Sequence, residues 1–433
     1  MGTLDRVVIV GAGPAGLFAA HELSKTHEVT ILEEKGYVGG SGLHSDGKLN
    51  FHPHIGGELT EFIPEDEAWN LISRIQGIFQ GLGVGVEYDE EGLERLEARA
   101  AKAGIRFIKI VQSHIGSDHL PEVIKSLRRD LESRGVRIVL ETRAEGLSVD
   151  GGMVTAVGAD DGSYPADSVL LAPGRVGSGW LVDLLEKLGV GMRFNPIDVG
   201  VRIEVPNELM EEIINGYRCW DPKFHIYTPS YDDFVRTFCV CPRGFVVREA
   251  YESSLFGVNG HSMRDRGSPN TNFALLTRVS LTKPLENTTE YGRRIAQLAN
   301  TLGGRMPLLQ RLGDLRSHKR STWNRIKRSF IEPTLREATP GDISMAYPSR
   351  IVMDLLEGLE MLDRVIPGVN SDSTLIYAPE IKFYAMRIQT DKQLRTTIPN
   401  LYVAGDGAGV SRGIVGAAAT GIIAARGIIE KSF

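Results

Sequence analysis

The sequence is poor in cysteine, carries no excess of positive charge and has no long apolar run. Its three cysteines, Cys219, Cys239 and Cys241 among 433 residues, are too few and odd in number for a disulfide framework, and suggest a reducing compartment. Lys and Arg total 49 against 55 Asp and Glu, a formal net charge of −6. Proteins that follow a phosphate backbone are usually basic, so nucleic acid is disfavoured as the main partner. One local exception holds Arg311, Arg316, Lys319, Arg320, Arg325, Lys327 and Arg328, and such a run reads first as a solvated face. No window reaches about 18 uninterrupted apolar residues, so no membrane span is expected. The chain passes from Met1 through Asp5 straight into an apolar strand pattern, leaving no room for a signal peptide. A soluble, cytoplasmic protein is the expectation.

Glycine, by contrast, is abundant at 49 residues. This exceeds the usual share of about 7%, and without a Gly-X-Y period it points to close backbone approaches rather than a fibre. With 42% hydrophobic and 24% charged residues the chain is globular, and its length calls for two or three substructures. Strand patterns at 6–10 and 28–32 flank a helix at 15–24, and a polar, glycine-rich loop covers 36–57. Helical patterns dominate 65–103 and recur at 120–134; strands at 106–111, 137–142, 153–159 and 168–171 sustain the α/β alternation. From about 205 to 350 aromatics, Pro and Asn increase, and 258–274 reads as a long loop. A strand at 401–404 and an Ala/Gly-rich helix at 414–429 restore the pattern. The predicted fold is α/β: a Rossmann-like domain in discontinuous segments, 1–204 (with a helical excursion near 63–103) and 351–433, carrying an inserted α+β substrate or cap domain at 205–350.

Gly11-Ala12-Gly13-Pro14-Ala15-Gly16 lies between the first strand and its helix. In this pattern the first glycine permits a tight turn, the second lets N–H groups approach a pyrophosphate, and the third allows close helix–strand packing. The helix dipole then favours the anion. Glu33, with Glu34 beside it, ends the second strand about 20 residues on, where an acid binds ribose hydroxyls. A dinucleotide site follows, and Glu33 suits the adenosine ribose of NAD and FAD alike.

The choice falls to Ile398-Pro399-Asn400-Leu401-Tyr402-Val403-Ala404-Gly405-Asp406, a strand that ends before a glycine-rich turn and the last helix. It resembles the C-terminal motif of two-dinucleotide-fold flavoproteins. The resemblance implies that Asp406 binds the ribityl chain of FAD. It also implies that the helix start, Gly413, Ile414, Val415 and Gly416, faces the flavin N1–C2 carbonyl and stabilises negative charge there. Ala172-Pro173-Gly174-Arg175 resembles the Ala-Thr-Gly turn of the same families, implying contacts from Ala172 and Gly174. No second GxGxxG followed by an acid occurs after about residue 150, so no separate pyridine-nucleotide domain is expected. NAD(P)H remains a candidate donor, docking directly or acting through an electron-transfer partner.

Four further segments carry a closer likeness: 39–49, Arg236-Thr237-Phe238-Cys239-Val240-Cys241-Pro242, Thr339-Pro340-Gly341-Asp342-Ile343-Ser344, and 377–383 continuing to 405–416. They are similar to the NAD(FAD)-utilising, or FAD-dependent, dehydrogenases in their short form, over nearly the whole chain. That likeness implies FAD and a redox activity, and no particular substrate. Gly40, Ser41, Ser45, Lys48 and Ala144 complete the expected cofactor contacts, and no metal is expected.

Lys48 is a catalytic candidate, because a cation near flavin N1 or N5 favours reduction. Cys239 and Cys241 would share one face of a strand. Such a pair could relay electrons, supply a nucleophile, or simply pack a sheet. His44, His52 and His54 lack a Cys or acidic pair at ligand spacing and read better as proton donors than as metal ligands. The expected activity is FAD-dependent hydride exchange at flavin N5 with a small organic substrate. Its rivals are a flavin monooxygenase or prenyl-lipid reductase, and an FAD protein supporting RNA modification.

Overall fold

The computed structural model describes residues 4–44, 47–86, 88–115, 119–252, 254–263, 266–284 and 286–431, apart from the side chains of Ser41, His44 and His114. The chain forms two compact units, one of 1–86, 110–195 and 384–433, the other of 87–109 and 196–383.

The first unit is built on a five-stranded sheet in the order Leu401–Val403, Ser168–Leu171, Arg6–Val10, Glu28–Leu32, Arg137–Val139. All neighbours run parallel. Runs such as Val7-Val8-Ile9-Val10 suit this setting, since β-branched side chains pack well in parallel strands covered on both faces. From Arg6–Val10 the chain works outward on one side, then crosses to the other with Ser168–Leu171. Ligands of open α/β sheets bind outside the carboxyl ends of the strands at such a reversal. The return passes through an antiparallel meander of Ala144–Asp150, Met153–Ala159 and Gly162–Pro165. Asn400 ties meander to sheet: its Oδ1 accepts the Val154 N–H at 2.9 Å, and its Nδ2 donates to the carbonyls of Val154 (2.7 Å) and Asp167 (3.0 Å). The last helix, Ile414–Lys431, is apolar nearly all round and packs along Pro14–Leu23, as a fully buried helix should.

The second unit holds an eight-stranded sheet in the order Thr339–Pro340, Leu308–Arg311, Leu375–Lys382, Ile197–Pro206, Asn270–Val279, Phe234–Cys241, Lys223–Tyr227, Arg106–Ile108. Its pairings are antiparallel except the first. The helices Thr288–Gly303 and Ser349–Asp363 pack on it.

Three expectations change here. The region 258–274 is not one long loop, because both its ends are strand: Leu255–His261 pairs with Phe245–Glu252, and Asn270–Val279 pairs with Ile197–Pro206. Asn259, Gly260, Asn270 and Asn272 hide strands whose hydrogen bonds come from partners that local pattern does not show. The units divide at 195/196 and 383/384 rather than 204/205 and 350/351, because Ile197–Pro206 and Leu375–Lys382 are sheet neighbours. The helical excursion is also split: Glu65–Gly81 belongs to the first unit, while Glu90–Lys102 and the edge strand Arg106–Ile108 belong to the second.

Two stability predictions follow from buried polar groups. Asn400 is 1% exposed with its amide fully partnered, so Asn400→Leu should lower unfolding free energy by about 2–3 kcal/mol, read by denaturant titration. Asp354 is buried; burial, opposed by the Thr228 hydroxyl at 2.9 Å and reinforced by Asp233, pushes its carboxyl up to about 7. A carboxyl raised in the folded state contributes most below its ordinary pKa and loses that contribution as pH rises through about 7. Unfolding measured from pH 4 to 8 should therefore show a falling limb that Asp354→Asn flattens, and an unchanged limb would exclude this carboxyl as its source.

Candidate active site

The turn after the first strand shows why its residues are what they are. The Gly11 N–H donates to the Leu32 carbonyl at 2.8 Å, while Ala172 N–H donates to the Val10 carbonyl at 2.8 Å. Gly11 has φ of +103°, and a Cβ there would overlap the Ala172 carbonyl oxygen. A side chain would have to force apart the strands that flank the reversal. Gly13 is the opposite case, with nothing within 4 Å of the position its Cβ would take. It is the N-cap of Pro14–Leu23, and no side chain caps that helix. Pro14 at the first helical position has no N–H of its own to satisfy. Ala15 and Gly16 begin the first turn, so the positive end of the helix dipole meets the open side of Gly13.

Glu33 braces this turn, accepting the Ala12 N–H at 2.8 Å on one oxygen and the Lys35 N–H at 2.9 Å on the other. A carboxylate has about four lone-pair sites, so ribose hydroxyls can still bind there. Glu34 is exposed on the loop that follows. Gly39 N–H donates to the Ala12 carbonyl at 2.8 Å, and the Cβ position of Gly40 is 3.4 Å from the Gly13 Cα. Ser45 and Asp46 lie outside the described residues, as do the side chains of Ser41 and His44. Lys48 is half-buried and opens the strand Lys48–Phe51, against which the last helix packs. Ala144 is buried at the start of the meander, opposite Ala159. His52 lies edge-on to Trp69, and His54 meets Glu58 at 2.5 Å and Glu65 at 3.1 Å.

The far end of the chain reaches the same sheet edge. Ala404 N–H donates to the Leu171 carbonyl at 3.0 Å and Gly405 N–H to the Thr420 hydroxyl at 3.1 Å. Asp406 accepts the Ser411 hydroxyl at 2.9 Å and the Gly413 N–H at 3.2 Å, and Arg175 lies 3.8 Å away. This carboxylate therefore shapes the turn that leads into Gly413, Ile414, Val415 and Gly416. Gly407 abuts the Gly174 carbonyl, Gly416 abuts the Gly56 carbonyl, and Arg412 N–H donates to Gly56 at 2.7 Å. Fold and backbone contacts bring the three glycine-rich segments together. The donor set fits FAD: an open helix N-terminus suits its pyrophosphate, and two acids suit its ribose and ribityl hydroxyls.

Cys239 and Cys241 belong to the second unit, on Phe234–Cys241. Their sulfurs are 3.9 Å apart and the buried Arg202 donates to Cys241. The sequence reading brings out the two thiols but misses Arg202, Asn272 and Glu380. Its only signal for Arg202 is a charge, with Glu204 two residues on, within the otherwise apolar stretch 199–205. In the 311–328 run, Arg311 and Arg325 face Asp314 at 3.8 and 3.0 Å, and Arg316 meets Asp372 at 3.1 Å. Much of the run is thus salt-bridged.

Comparison with known proteins agrees with this geometry. A family model described as FAD dependent oxidoreductase matches residues 6–237. One described as FAD-dependent protein, C-terminal domain-like, matches 196–382, and one for Glucose inhibited division protein A matches 334–432. The chain is 28% identical over 459 residues to an "Uncharacterized protein" of Clostridium beijerinckii, spanning 98% of this chain and 81% of that one. It is 29% identical over 192 residues to a probable fumarate reductase, Ifc3, of Shewanella frigidimarina, spanning 40% of this chain and 32% of the relative. Among solved structures, L-proline dehydrogenase from P. horikoshii is similar at 12% identity and TM-score 0.41, with 99% of this chain and 93% of that one covered.

Gly11 and Gly13 should separate folding from cofactor binding. Gly11→Ala should cost about 2–4 kcal/mol of stability by strain and overlap. Gly13→Ala has room and should keep stability within about 0.5 kcal/mol, yet weaken FAD binding if the expected approach of the pyrophosphate to this position holds. Thermal unfolding of the apoprotein and FAD fluorescence titration read the two effects; equal behaviour of both variants would contradict the assignment.

Proposed function

The chain belongs to the FAD dependent oxidoreductase family, and from that premise we propose that it is a flavin dehydrogenase or reductase for a small organic substrate, without a nicotinamide domain of its own. The observation that carries this reading is the contrast between the units. The first has the parallel sheet and switch point of a dinucleotide fold, whereas the second, where a pyridine-nucleotide domain would stand, is mainly antiparallel. Electrons then come from NAD(P)H docking transiently or from an electron-transfer protein. The low, odd count of three cysteines supports a reducing, cytoplasmic setting.

Bound FAD supplies hydride and electron-transfer chemistry that side chains lack. The chain's own part is to hold and tune. The first turn of Pro14–Leu23 holds the pyrophosphate, Glu33 the adenosine ribose and Asp406 the ribityl chain. The start of Ile414–Lys431, at Gly413–Gly416, favours negative charge through its dipole. Lys48 adds a cation to the same unit. Arg412, whose Cζ lies 3.2 Å from the centre of the Tyr384 ring, is a further fixed cation suited to an anionic group of the substrate.

Anaerobic mixing with NADH and with NADPH, followed by reoxidation against a panel of small unsaturated or carbonyl acceptors, tests the proposal. Reduction of bound FAD and its reoxidation by an organic acceptor faster than by oxygen is the expected result. Rapid reaction with oxygen and insertion of an oxygen atom into a substrate would instead establish a monooxygenase. Lys48→Met should lower the potential of the bound flavin by about 30 mV, equivalent to roughly tenfold in the two-electron equilibrium, with Lys48→Arg recovering most of it. An unmoved potential would remove Lys48 from the tuning role.

A further inference from the structure

The strand Ile197–Pro206 is buried along almost its whole length, yet it carries Arg202 with no exposed surface. A guanidinium keeps its charge, so its donors require acceptors inside the unit. Nε donates to the Asn272 Oδ1 at 2.8 Å and Nη1 to the Glu380 carboxylate at 3.2 Å. Nη2 donates to the Cys239 carbonyl at 2.7 Å and to the Cys241 sulfur at 3.2 Å. Burial alone would depress the Arg202 pKa, but Glu380, Cys241 and Cys239 outweigh it and hold the group above its ordinary value. Lys382 stands 3.0 Å from Glu380 and 3.7 Å from Glu249. A neutral thiol is a weak acceptor, and a cationic donor aimed at sulfur favours the thiolate.

The backbone is arranged around the same pair. Cys239 has φ of +47°, in the left-handed region, and the register with Asn270–Val279 breaks between Phe238 and Cys241. Such bulges re-aim side chains, and here the two sulfurs lie 3.9 Å apart. The thiols also differ in access: Cys241 is 2% exposed, while Cys239 is only partly buried. Cys219 provides an internal contrast. It is buried, and burial together with Asp221 pushes its thiol up to about 12.

We propose that Cys239 and Cys241 are a redox-active dithiol–disulfide pair that exchanges with an external small-molecule disulfide, making the second unit a redox site in its own right. Cys239, as thiolate, attacks one sulfur of the disulfide RSSR. A bond forms between Cys239 and that sulfur, the S–S bond of RSSR breaks, and the departing RS⁻ takes up the proton released by Cys239. Cys241, deprotonated beside Arg202, then attacks the Cys239 sulfur, closing the internal disulfide and releasing the second RS⁻, which takes the Cys241 proton. Two protein thiols lose two electrons and two protons, and RSSR becomes two RSH. Arg202 is a positioning residue, and it keeps Asn272, Glu380 and the Cys239 carbonyl as acceptors in either redox state.

The test uses the FAD-loaded protein equilibrated with mixtures of oxidised and reduced glutathione, quenched with iodoacetamide and read by peptide mass. The wild type should lose two alkylation sites together and yield a peptide linked between residues 239 and 241, with Cys219 unmodified until the protein is unfolded. Cys241→Ser should stop at a glutathione adduct on Cys239. Cys239→Ser should form any adduct roughly tenfold more slowly, or worse, because the buried thiol is left alone. In Arg202→Gln the pH profile of Cys241 alkylation should move to higher pH; should that variant not fold, the two cysteine variants still decide. No internal disulfide at any glutathione ratio, adducts shared equally between Cys239 and Cys241, or Cys219 reacting as fast as they do would each overturn the proposal. The readout is thiol mass, so failure here leaves the flavin reading intact, and failure of that reading leaves this result standing.

Discussion

The first unit depends on one backbone contact, the approach of Gly11 to the Ala172 carbonyl. The two residues end neighbouring strands of the sheet, at the point where the strand order reverses. A side chain on Gly11 would separate those strands, and their separation would shift the helix start at Pro14 and the turn at Gly174. Gly407 leans on the Gly174 carbonyl and thereby ties the C-terminal segment to the same edge. A chain of side-chain-free contacts thus sets where the two helix N-termini begin. Dinucleotide recognition by backbone needs this, because N–H dipoles act only over the first turn and cannot be re-aimed by rotamer changes.

The second unit solves a different problem. Its central strands carry Asp198, Arg202, Glu204 and Glu380 with no exposed surface. Removing an ion from water costs several kcal/mol, even after local relaxation, so each must be partnered. Arg202 meets this with four acceptors from three strands of the sheet, two of them its neighbours and the third one strand further on. Glu204 does so with the Asn270 amide at 3.0 Å, the Thr334 hydroxyl at 2.6 Å and the Tyr377 hydroxyl at 2.5 Å. Burial nevertheless raises the Glu204 carboxyl above its ordinary pKa, against those hydrogen bonds. Where the first unit presents partial charges from backbone, the second encloses full charges on side chains. The two arrangements differ in kind: one leaves N–H groups open at a helix start, the other sets a guanidinium against a sulfur.

Much of the first unit was legible in sequence because its signals are local. Apolar runs at 6–10, 28–32 and 168–171, the GxGxxG turn and the Gly405-Asp406 end of the last strand each declare themselves within a few residues. Glu33 was expected at a ribose from its spacing after the glycine turn, and Asp406 at a ribityl chain from the likeness of its segment to a flavoprotein motif. Their bonds to Ala12, Lys35, Ser411 and Gly413 were not, since a carboxylate's role in shaping a turn leaves no periodic trace. In the second unit, Asn270-Thr271-Asn272 looks like loop until Ile197–Pro206 lies beside it. The same holds for the split of 65–103 between units, because both halves have the same helical period and differ only in what they pack against.

By itself the sequence determined where the backbone turns sharply, which runs bury both faces and which residue types can meet a dinucleotide. Those properties follow from φ/ψ sterics and side-chain period, which act between near neighbours in the chain. Only the tertiary structure decided that Leu375–Lys382 sits beside Ile197–Pro206, that Arg202 reaches the sulfur of Cys241, and that Cys239 adopts a left-handed backbone. These depend on pairing between segments about 40 to 180 residues apart, where loop closure costs little and many partners compete. Pairing that gives the buried Arg202 its acceptors and the buried Glu204 its donors is favoured, and that condition belongs to the folded unit rather than to any stretch of its sequence.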